Sequence, residues 1–126
     1  MGVTFVDIVV RRSPEAKRSA SVRCLVDTGA RLTILPAGTL KRLGIKPRGT
    51  ERFELADGST IKRQIGNAFV ELDGRSAYTR VVFGKKGDSE ILGMLTLEEL
   101  HLWIDPITRS LHPLKLFLKR ATHHAV

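Results

Sequence analysis

One short run of the sequence combines residue types that can move protons. Asp27-Thr28-Gly29-Ala30 directly follows the apolar stretch Cys24-Leu25-Val26. That stretch predicts a strand, so the Asp27 carboxylate is expected at the turn where the strand ends. Gly29 would let the backbone turn sharply and approach another chain closely, and a carboxylate held there can act as a general acid or base. Taken alone, Asp-Thr-Gly is more typical of an ordinary surface turn, because all three residue types favour turns.

The residues around this run make it more specific. Thr33-Ile34-Leu35-Pro36 follows the turn, and Ile91-Leu92-Gly93 later precedes a second segment that favours a helix. This order of elements resembles the active-site segments of retropepsin-like aspartic proteases, the family of retroviral proteases and their cellular relatives. The resemblance extends over residues 3–116, and the whole chain is most similar to the small bacterial and archaeal members.

The resemblance implies a fold and a role for each residue of the run. The fold would be all-β, a closed barrel-like structure with one or two short helices, present as an obligate homodimer. Asp27 would be half of a catalytic pair of carboxylates, and Thr28 would bond to the turn of the opposing subunit. Gly29 would let the substrate backbone pass close by, and Ala30 would border the cleft.

Two further segments receive roles from the same resemblance. The family's flap, which closes over the substrate, would correspond to Ala56-Asp57-Gly58, although an ordinary hairpin turn explains these residues equally well. Ile91-Leu92-Gly93 would be the family's second hydrophobic-hydrophobic-glycine element. These assignments imply an aspartic endopeptidase that acts on peptide or protein substrates and needs no metal or organic cofactor.

The number of such turns in the chain explains why a dimer is expected. Peptide hydrolysis by carboxylates needs two of them sharing one proton, one to activate water and one to polarise the scissile carbonyl. The second half of the chain offers Ile91-Leu92-Gly93-Met94, which contains no Asp. The partner carboxylate must therefore come from Asp27 of a second copy, related by a two-fold axis. An acidic pH optimum and inhibition by statine-type analogues follow from the same chemistry.

Some residues depart from the family's pattern. Arg31 stands where retroviral enzymes tend to carry an acidic residue that contacts substrate, and Ala56-Asp57-Gly58 lacks their glycine-rich flap tip. The last predicted strand, residues 110–118, has alternating apolar side chains that suit either an intersubunit sheet or the monomer's own sheet.

Turn and cap signals outline the other elements. Strands are predicted over residues 3–10 and 20–27, and a helix between Pro36 and Gly44. Asp57-Gly58 and Asp73-Gly74 each predict a two-residue hairpin turn. Thr96 and Glu99 fit a capping box, which predicts a helix from Thr96 to about Leu102.

Length and composition indicate the number of domains, the absence of a predicted membrane span and an expected location. The 126 residues support one domain, which we assign to residues 1–118, with 119–126 as a basic frayed tail containing His123 and His124. No run of about 18 apolar residues predicts a membrane span. No signal peptide is apparent, and the single cysteine, Cys24, favours a reducing, cytoplasmic location.

The net charge of +8 permits nucleic-acid binding, but the basic residues are scattered and the aromatics few, so a well-solvated surface is the simpler reading. Two alternatives to a protease stay open: a non-catalytic dimerisation or peptide-binding module of the same fold, and a basic nucleic-acid-binding β-barrel. Cys24 and Trp103 are expected in the core, and His101 and His112 are expected to be structural or exposed rather than catalytic.

Overall fold

The computed structural model describes residues 4–119. Within that range the chain forms short strands and two short helices. In chain order they are β1 (Phe5–Arg11), β2 (Ala20–Val26), β3 (Thr33–Pro36), α1 (Ala37–Arg42), β4 (Gly49–Glu54), β5 (Thr60–Leu72), β6 (Arg75–Gly84), β7 (Ile91–Leu92), α2 (Met94–Glu99), β8 (Leu102–Ile104) and β9 (Leu111–Pro113). The fold is therefore mostly β, as expected. None of the described helices is long and apolar enough to cross a membrane.

Seven strands form one sheet in the order β1-β2-β7-β3-β6-β5-β4, and β1 also pairs with the end of β5. Most pairings are antiparallel, but β2 lies parallel to β7 and β3 lies parallel to β6. Parallel pairs need long connections, so these two pairings join distant parts of the chain. β8 and β9 form a separate two-stranded sheet.

The core is built from apolar side chains on the inner faces of the strands and of both helices. In β1, Ile8 and Val10 are fully buried while the residues between and around them are more exposed, which is the alternation of a strand with one covered face. Each helix is only six residues long, so packing rather than intrinsic propensity stabilises it. Fully or almost fully buried core residues from these elements include Ile8, Val10, Leu35, Leu40, Val70, Phe83, Leu92, Leu97 and Leu100.

The two Asp-Gly turns differ. Asp73-Gly74 is the predicted two-residue turn: Leu72 pairs with Arg75, and both turn residues have positive φ angles of 51° and 75°. The prediction for Asp57-Gly58 is wrong in length. Leu55 accepts a hydrogen bond from the Gly58 N–H (2.9 Å) and donates one to the Ser59 carbonyl (2.7 Å), so the loop has three residues, with Gly58 at φ 86°. β5 is one 13-residue strand that serves both hairpins.

The first helix agrees with its sequence signals. α1 begins directly after Pro36, and Gly44 follows it with a φ of 81°, the left-handed conformation that glycine adopts without steric cost. The predicted capping box is wrong, because α2 begins at Met94, before Thr96. The first N–H groups of α2 are satisfied instead by carbonyls from the Asp27 region, and this removes the need for a side-chain cap.

The C-terminal strand is shorter than predicted. β9 ends at Pro113, which has no N–H to continue a ladder, and residues 114–119 have no regular structure. β9 pairs with β8 of the same chain. Trp103 is not a core residue: it is 42% exposed and lies 5.3 Å from the His112 ring, centroid to centroid. The predicted start of β1 at residue 3 and the predicted tail, apart from Lys119, lie outside the described residues.

Candidate active site

The backbone around Asp27 fixes the position of its carboxylate. β2 ends at Val26, and the Asp27 N–H then donates to the Leu92 carbonyl at 3.1 Å. Asp27 Oδ1 accepts the Gly29 N–H at 2.9 Å, and the Asp27 carbonyl accepts the Ala30 N–H at 3.2 Å. Asp27 is half-buried, whereas Thr28 and Gly29 are exposed. One carboxylate oxygen is therefore held by the turn, and the turn itself opens to solvent.

The predicted second element, Ile91-Leu92-Gly93, lies directly beside this turn. β7 runs between β2 and β3, with Leu92 level with Val26 and Ile91 level with Ile34. A Cβ placed on Gly93 would lie 2.6 Å from the carbonyl carbon and oxygen of Leu32 and 2.9 Å from the Arg31 oxygen. No side chain fits at that distance, so Gly93 is what permits the two backbone segments to touch.

The start of α2 completes the contact between the two segments. The Met94 N–H donates to the Ala30 carbonyl at 2.8 Å, and the Leu95 N–H donates to the Arg31 carbonyl at 3.0 Å. Four N–H groups at the start of a helix lack partners within the helix. Here two of these N–H groups bind the carbonyls of Ala30 and Arg31, which follow the Asp27 turn. The Ala30 carbonyl therefore anchors the start of α2, in addition to the predicted place of Ala30 at the edge of the cleft.

Three buried threonines form a hydrogen-bonded chain beneath the turn. Thr33 Oγ1 accepts the Gly93 N–H (3.0 Å) and lies 2.6 Å from Thr96 Oγ1, which lies 3.0 Å from Thr79 Oγ1. Thr79 donates to Glu99 Oε1 at 2.7 Å. Each hydroxyl has one hydrogen, so Thr96 must donate to Thr79 and Thr33 must donate to Thr96. The chain thus runs in one direction, from a backbone N–H to a carboxylate.

Sequence reasoning placed Thr96 and Glu99 in a capping box and therefore missed this network. Thr33, Thr79 and Thr96 are each no more than 1% exposed, and a polar group buried that fully needs a partner. The threonines come from β3, β6 and α2, and they share no local sequence pattern that would predict their contact.

The β4–β5 hairpin, whose tip is Ala56-Asp57-Gly58, projects from the sheet. β4 pairs with residues 60–65 of β5, whereas the pairing of β5 with β6 begins only at Ile65. The outer part is therefore a two-stranded ribbon with an exposed tip. Asp57 Oδ1 accepts hydrogen bonds from the hydroxyl (2.5 Å) and the N–H (2.9 Å) of Ser59, and these bonds lower the pKa of Asp57. Among the described residues, no hydrogen bond or ion pair joins this tip to the Asp27 turn.

Comparison with protein families decides the relationship. A family model described as "gag-polyprotein putative aspartyl protease" matches residues 18–99, which include the Asp27 turn, the hairpin and Ile91-Leu92-Gly93. The chain belongs to the retropepsin-like aspartic protease family.

A solved structure supports the same fold. The solution structure of the Simian Foamy Virus (mac) protease is similar to this chain with a TM-score of 0.54 and 15% sequence identity, over 75% of this chain and 92% of the viral one. No curated protein matches the chain.

An ion pair ties the hairpin of this retropepsin-like chain to the loop before β7. Arg63 Nε and Nη2 donate to the two carboxylate oxygens of Asp88 at 2.7 and 3.0 Å, and the Lys85 N–H donates to the same carboxylate at 2.8 Å. Hydrogen bonding from Arg63 is the main reason that the pKa of Asp88 is lowered. The pair was not predicted, because no local pattern links residues 25 positions apart.

The side chains of the remaining candidates take no part in this arrangement. Cys24 is fully buried, as predicted, and burial raises the pKa of its thiol to about 12, so it is a core residue without a reactive thiolate. Arg31 and His101 are exposed, and His112 Nε2 lies 2.9 Å from Ser110 Oγ. Within residues 4–119, no three His, Cys, Asp or Glu side chains converge in a group that could hold a metal ion.

Proposed function

We propose that the protein is an aspartic endopeptidase that hydrolyses a peptide bond with a water molecule held between two Asp27 carboxylates. The observation that carries this proposal is the Asp27 turn. A carboxylate stands at the open end of a turn whose backbone is fixed by Leu92 and Met94, in a chain of the retropepsin-like family. One carboxylate of the pair takes a proton from the water, and the other, protonated, polarises the scissile carbonyl.

The second carboxylate comes from a second copy of the chain. The segment beside the turn, Ile91-Leu92-Gly93-Met94, supplies backbone contacts but no acid. The side chains of Asp27 and Thr28 open to solvent at the point where a two-fold axis would pass. In this arrangement the Thr28 hydroxyl bonds to the opposing turn and holds the two carboxylates together.

Exposed apolar side chains supply a surface for the dimer. Leu116, Phe117 and Leu118 are 61–94% exposed, and Phe5, at the start of β1, is 46% exposed. Large apolar side chains that are this exposed favour burial against another chain. The intersubunit contact is proposed to involve residues 114–118, since β9 already pairs within its own chain.

The remaining features of the family follow in the same proposal. Pairing of β1 with β5 brings an outer strand of the sheet back to its interior, which supports a closed barrel-like domain, assigned to residues 1–118 with 119–126 as a tail. Ala56-Asp57-Gly58 serves as the flap, and its projection from the sheet supports that role. An extended peptide would pass between the flap and Gly29.

The first experiment compares Asp27 with an aspartate in an ordinary hairpin turn. Asp27→Asn should reduce cleavage of a denatured protein substrate at acidic pH by about 1,000-fold or more. Asp73→Asn is the matched control, because it makes the same change in a hairpin turn where Asn is equally well tolerated. Full activity in Asp27→Asn would refute the mechanism. A folded dimer that binds peptides without cutting them would identify the non-catalytic module.

A mixing experiment tests the shared site. Wild-type protein is mixed with an equal amount of Asp27→Asn protein and allowed to exchange subunits before the assay. If each site needs two Asp27 side chains, the mixture should retain about a quarter of the activity of an all-wild-type sample, rather than about a half. A value near a half would show that one chain suffices. A statine-type inhibitor should abolish the activity in either sample.

A further inference from the structure

Basic side chains that are scattered in the sequence meet along one groove. A cavity of about 740 Å³ and an adjoining one of about 330 Å³ share Arg12 and Gly44 in their walls. We call the pair the basic groove. Its charged lining residues are Arg12, Lys17, Arg18, Lys46 and Arg48.

The charge of the basic groove is uncompensated. No Asp or Glu lines either cavity, and all five cations are exposed. Within the described residues none of the five has a carboxylate within ion-pair distance. A third cavity continues the surface from Arg18 to Lys41 and Arg42, again without an acid. A concave surface lined by one sign of charge concentrates ions of the opposite sign.

One of these cations bonds to the end of α1, and a second lies beside the glycine that follows the helix. Arg18 Nη1 donates to the Arg42 carbonyl at the C-terminal end of α1, at 3.1 Å. The Arg12 guanidinium lies across Gly44, at a distance where a Cβ on that glycine would be 3.4 Å from Nη1. Charges that are already positioned lose less entropy when a ligand binds than free side chains do.

The basic groove lies at the far end of the molecule from Asp27. β1 pairs with β2 so that Phe5 is level with Leu25, beside the Asp27 turn, and Val10 is level with Ala20. Arg12 follows the distant end of this pair, about 20 Å along a strand of that length. The groove is therefore separate from the candidate catalytic site.

The uncharged part of the lining indicates which polyanion fits. Tyr78, which is 56% exposed, and Asn67 come from neighbouring strands and line the larger cavity. An exposed aromatic ring offers a surface on which a base can stack, and an amide can bond to a base edge. We propose that the basic groove binds single-stranded nucleic acid, with the phosphates along the cations and a base against Tyr78. An oligoglutamate would contact the cations but has no base to stack on this ring.

Binding should be measured by fluorescence anisotropy with a labelled oligouridylate, using the full chain and a series of salt concentrations. Each phosphate neutralised adds about 0.7 to the slope of log Kd against log salt, so five contacts predict a slope of about 3.5. The test variant is Arg12→Gln/Lys46→Gln/Arg48→Gln. The control is Arg52→Gln/Lys86→Gln/Lys115→Gln, which makes the same change in net charge at residues that do not line the groove.

The groove variant should lose about two units of slope and at least tenfold in affinity at low salt, while the control keeps both within about twofold. Tyr78→Ala should weaken binding about fivefold with an unchanged slope. Crosslinking of a 5-iodouracil oligonucleotide to unaltered protein, read by mass spectrometry, should label Tyr78 and needs no variant to fold.

Three results would overturn the proposal. They are the absence of binding at low salt, equal losses in the two triple variants, and oligoglutamate binding as tight as that of the oligonucleotide, which would assign the groove to acidic peptides. None of these measurements depends on peptidase activity, so the groove and the proposed function stand or fall separately.

Discussion

The Asp27 turn and the tip of the β4–β5 hairpin contain the same local motif in different surroundings. In each, an aspartate Oδ1 accepts the backbone N–H two residues later at 2.9 Å, from Gly29 in one case and from Ser59 in the other. The Asp27 turn also exchanges backbone hydrogen bonds with Leu92 and Met94. Within residues 4–119, the tip has hydrogen bonds only with Leu55 and Ser59.

The difference teaches that local turn chemistry does not make a rigid site. The two motifs share the same hydrogen bond from a backbone N–H to an aspartate oxygen. Among the described residues, however, only the Asp27 turn also bonds to segments more than 60 residues away in the chain. Regions with few long-range contacts open at lower free energy than those with many. The fixed turn suits a group that must hold its orientation, and the projecting tip suits a segment that must move.

The largest effect is expected from closing the space that anchors the Asp27 turn. Gly93→Ala would force a methyl group to within 2.6 Å of the Leu32 carbonyl, and we expect it to lower the free energy of unfolding by about 3 kcal/mol. Gly58→Ala at the hairpin tip meets no atom within 4 Å, so only its positive φ costs energy, about 1 kcal/mol. Urea unfolding of both variants measures the comparison. Equal losses would show that the two turns are anchored alike.

A smaller effect is expected from interrupting the threonine chain beneath the turn. Thr96→Val would leave Thr33 without an acceptor and Thr79 without a donor, and we expect a loss of about 2 kcal/mol in urea unfolding. Thr60→Val is the matched change in the exposed hairpin and should stay within about 0.5 kcal/mol. A Thr96→Val protein as stable as wild type would mean that the buried hydroxyls contribute nothing net.

Removing the ion pair that links the hairpin to the loop before β7 should loosen one region only. Arg63→Gln breaks two charge-assisted hydrogen bonds between partly buried groups, which contribute about 1 kcal/mol. Hydrogen exchange should become faster for hairpin amides and stay unchanged for the Asp27 amide. Lys62→Gln, at the exposed neighbouring position, should change neither rate. Faster exchange at Asp27 in Arg63→Gln would show that the two regions are coupled.

The smallest effect is a dependence on pH. The pKa of Asp88 is lowered from its ordinary value of 3.8, mainly by hydrogen bonding to Arg63. The stabilisation is thus present above that value and is lost as the pH falls through the folded-state pKa. The stability difference between wild type and Arg63→Gln should stay constant from neutral pH to about pH 5 and shrink progressively below it. A stability difference that disappears near pH 6 would contradict this expectation.

Local signals predicted local structure well. The strand before Asp27, the helix between Pro36 and Gly44, and the Asp73-Gly74 turn each depend on a few adjacent residues, and each was found as expected. A strand at Ile91–Leu92, followed by Gly93, also appears where a second element was expected, although its catalytic relevance stays a prediction.

Features that depend on distant contacts were missed. The Thr96–Glu99 capping box failed because carbonyls of Ala30 and Arg31 satisfy the start of α2, and the sequence near Thr96 contains no trace of them. The basic residues of the groove were interpreted as scattered surface charge because Arg12 and Arg48 are far apart in the chain. In the structure they line one cavity. Both errors arise where tertiary contacts replace local rules.

The parallel pairing of β2 with β7 also affects the order in which parts of the chain fold. Val26 must meet Leu92 before the Asp27 turn has its anchor, and contacts between such distant segments form slowly because a long loop must first be closed. During synthesis the N-terminal part of the chain is made first. The Asp27 turn therefore lacks its anchoring hydrogen bonds until residues 92–94 have been made. If the proposed shared site is correct, its chemistry therefore arises only in the last stages of assembly, after residues 92–94 have been made and two copies have met.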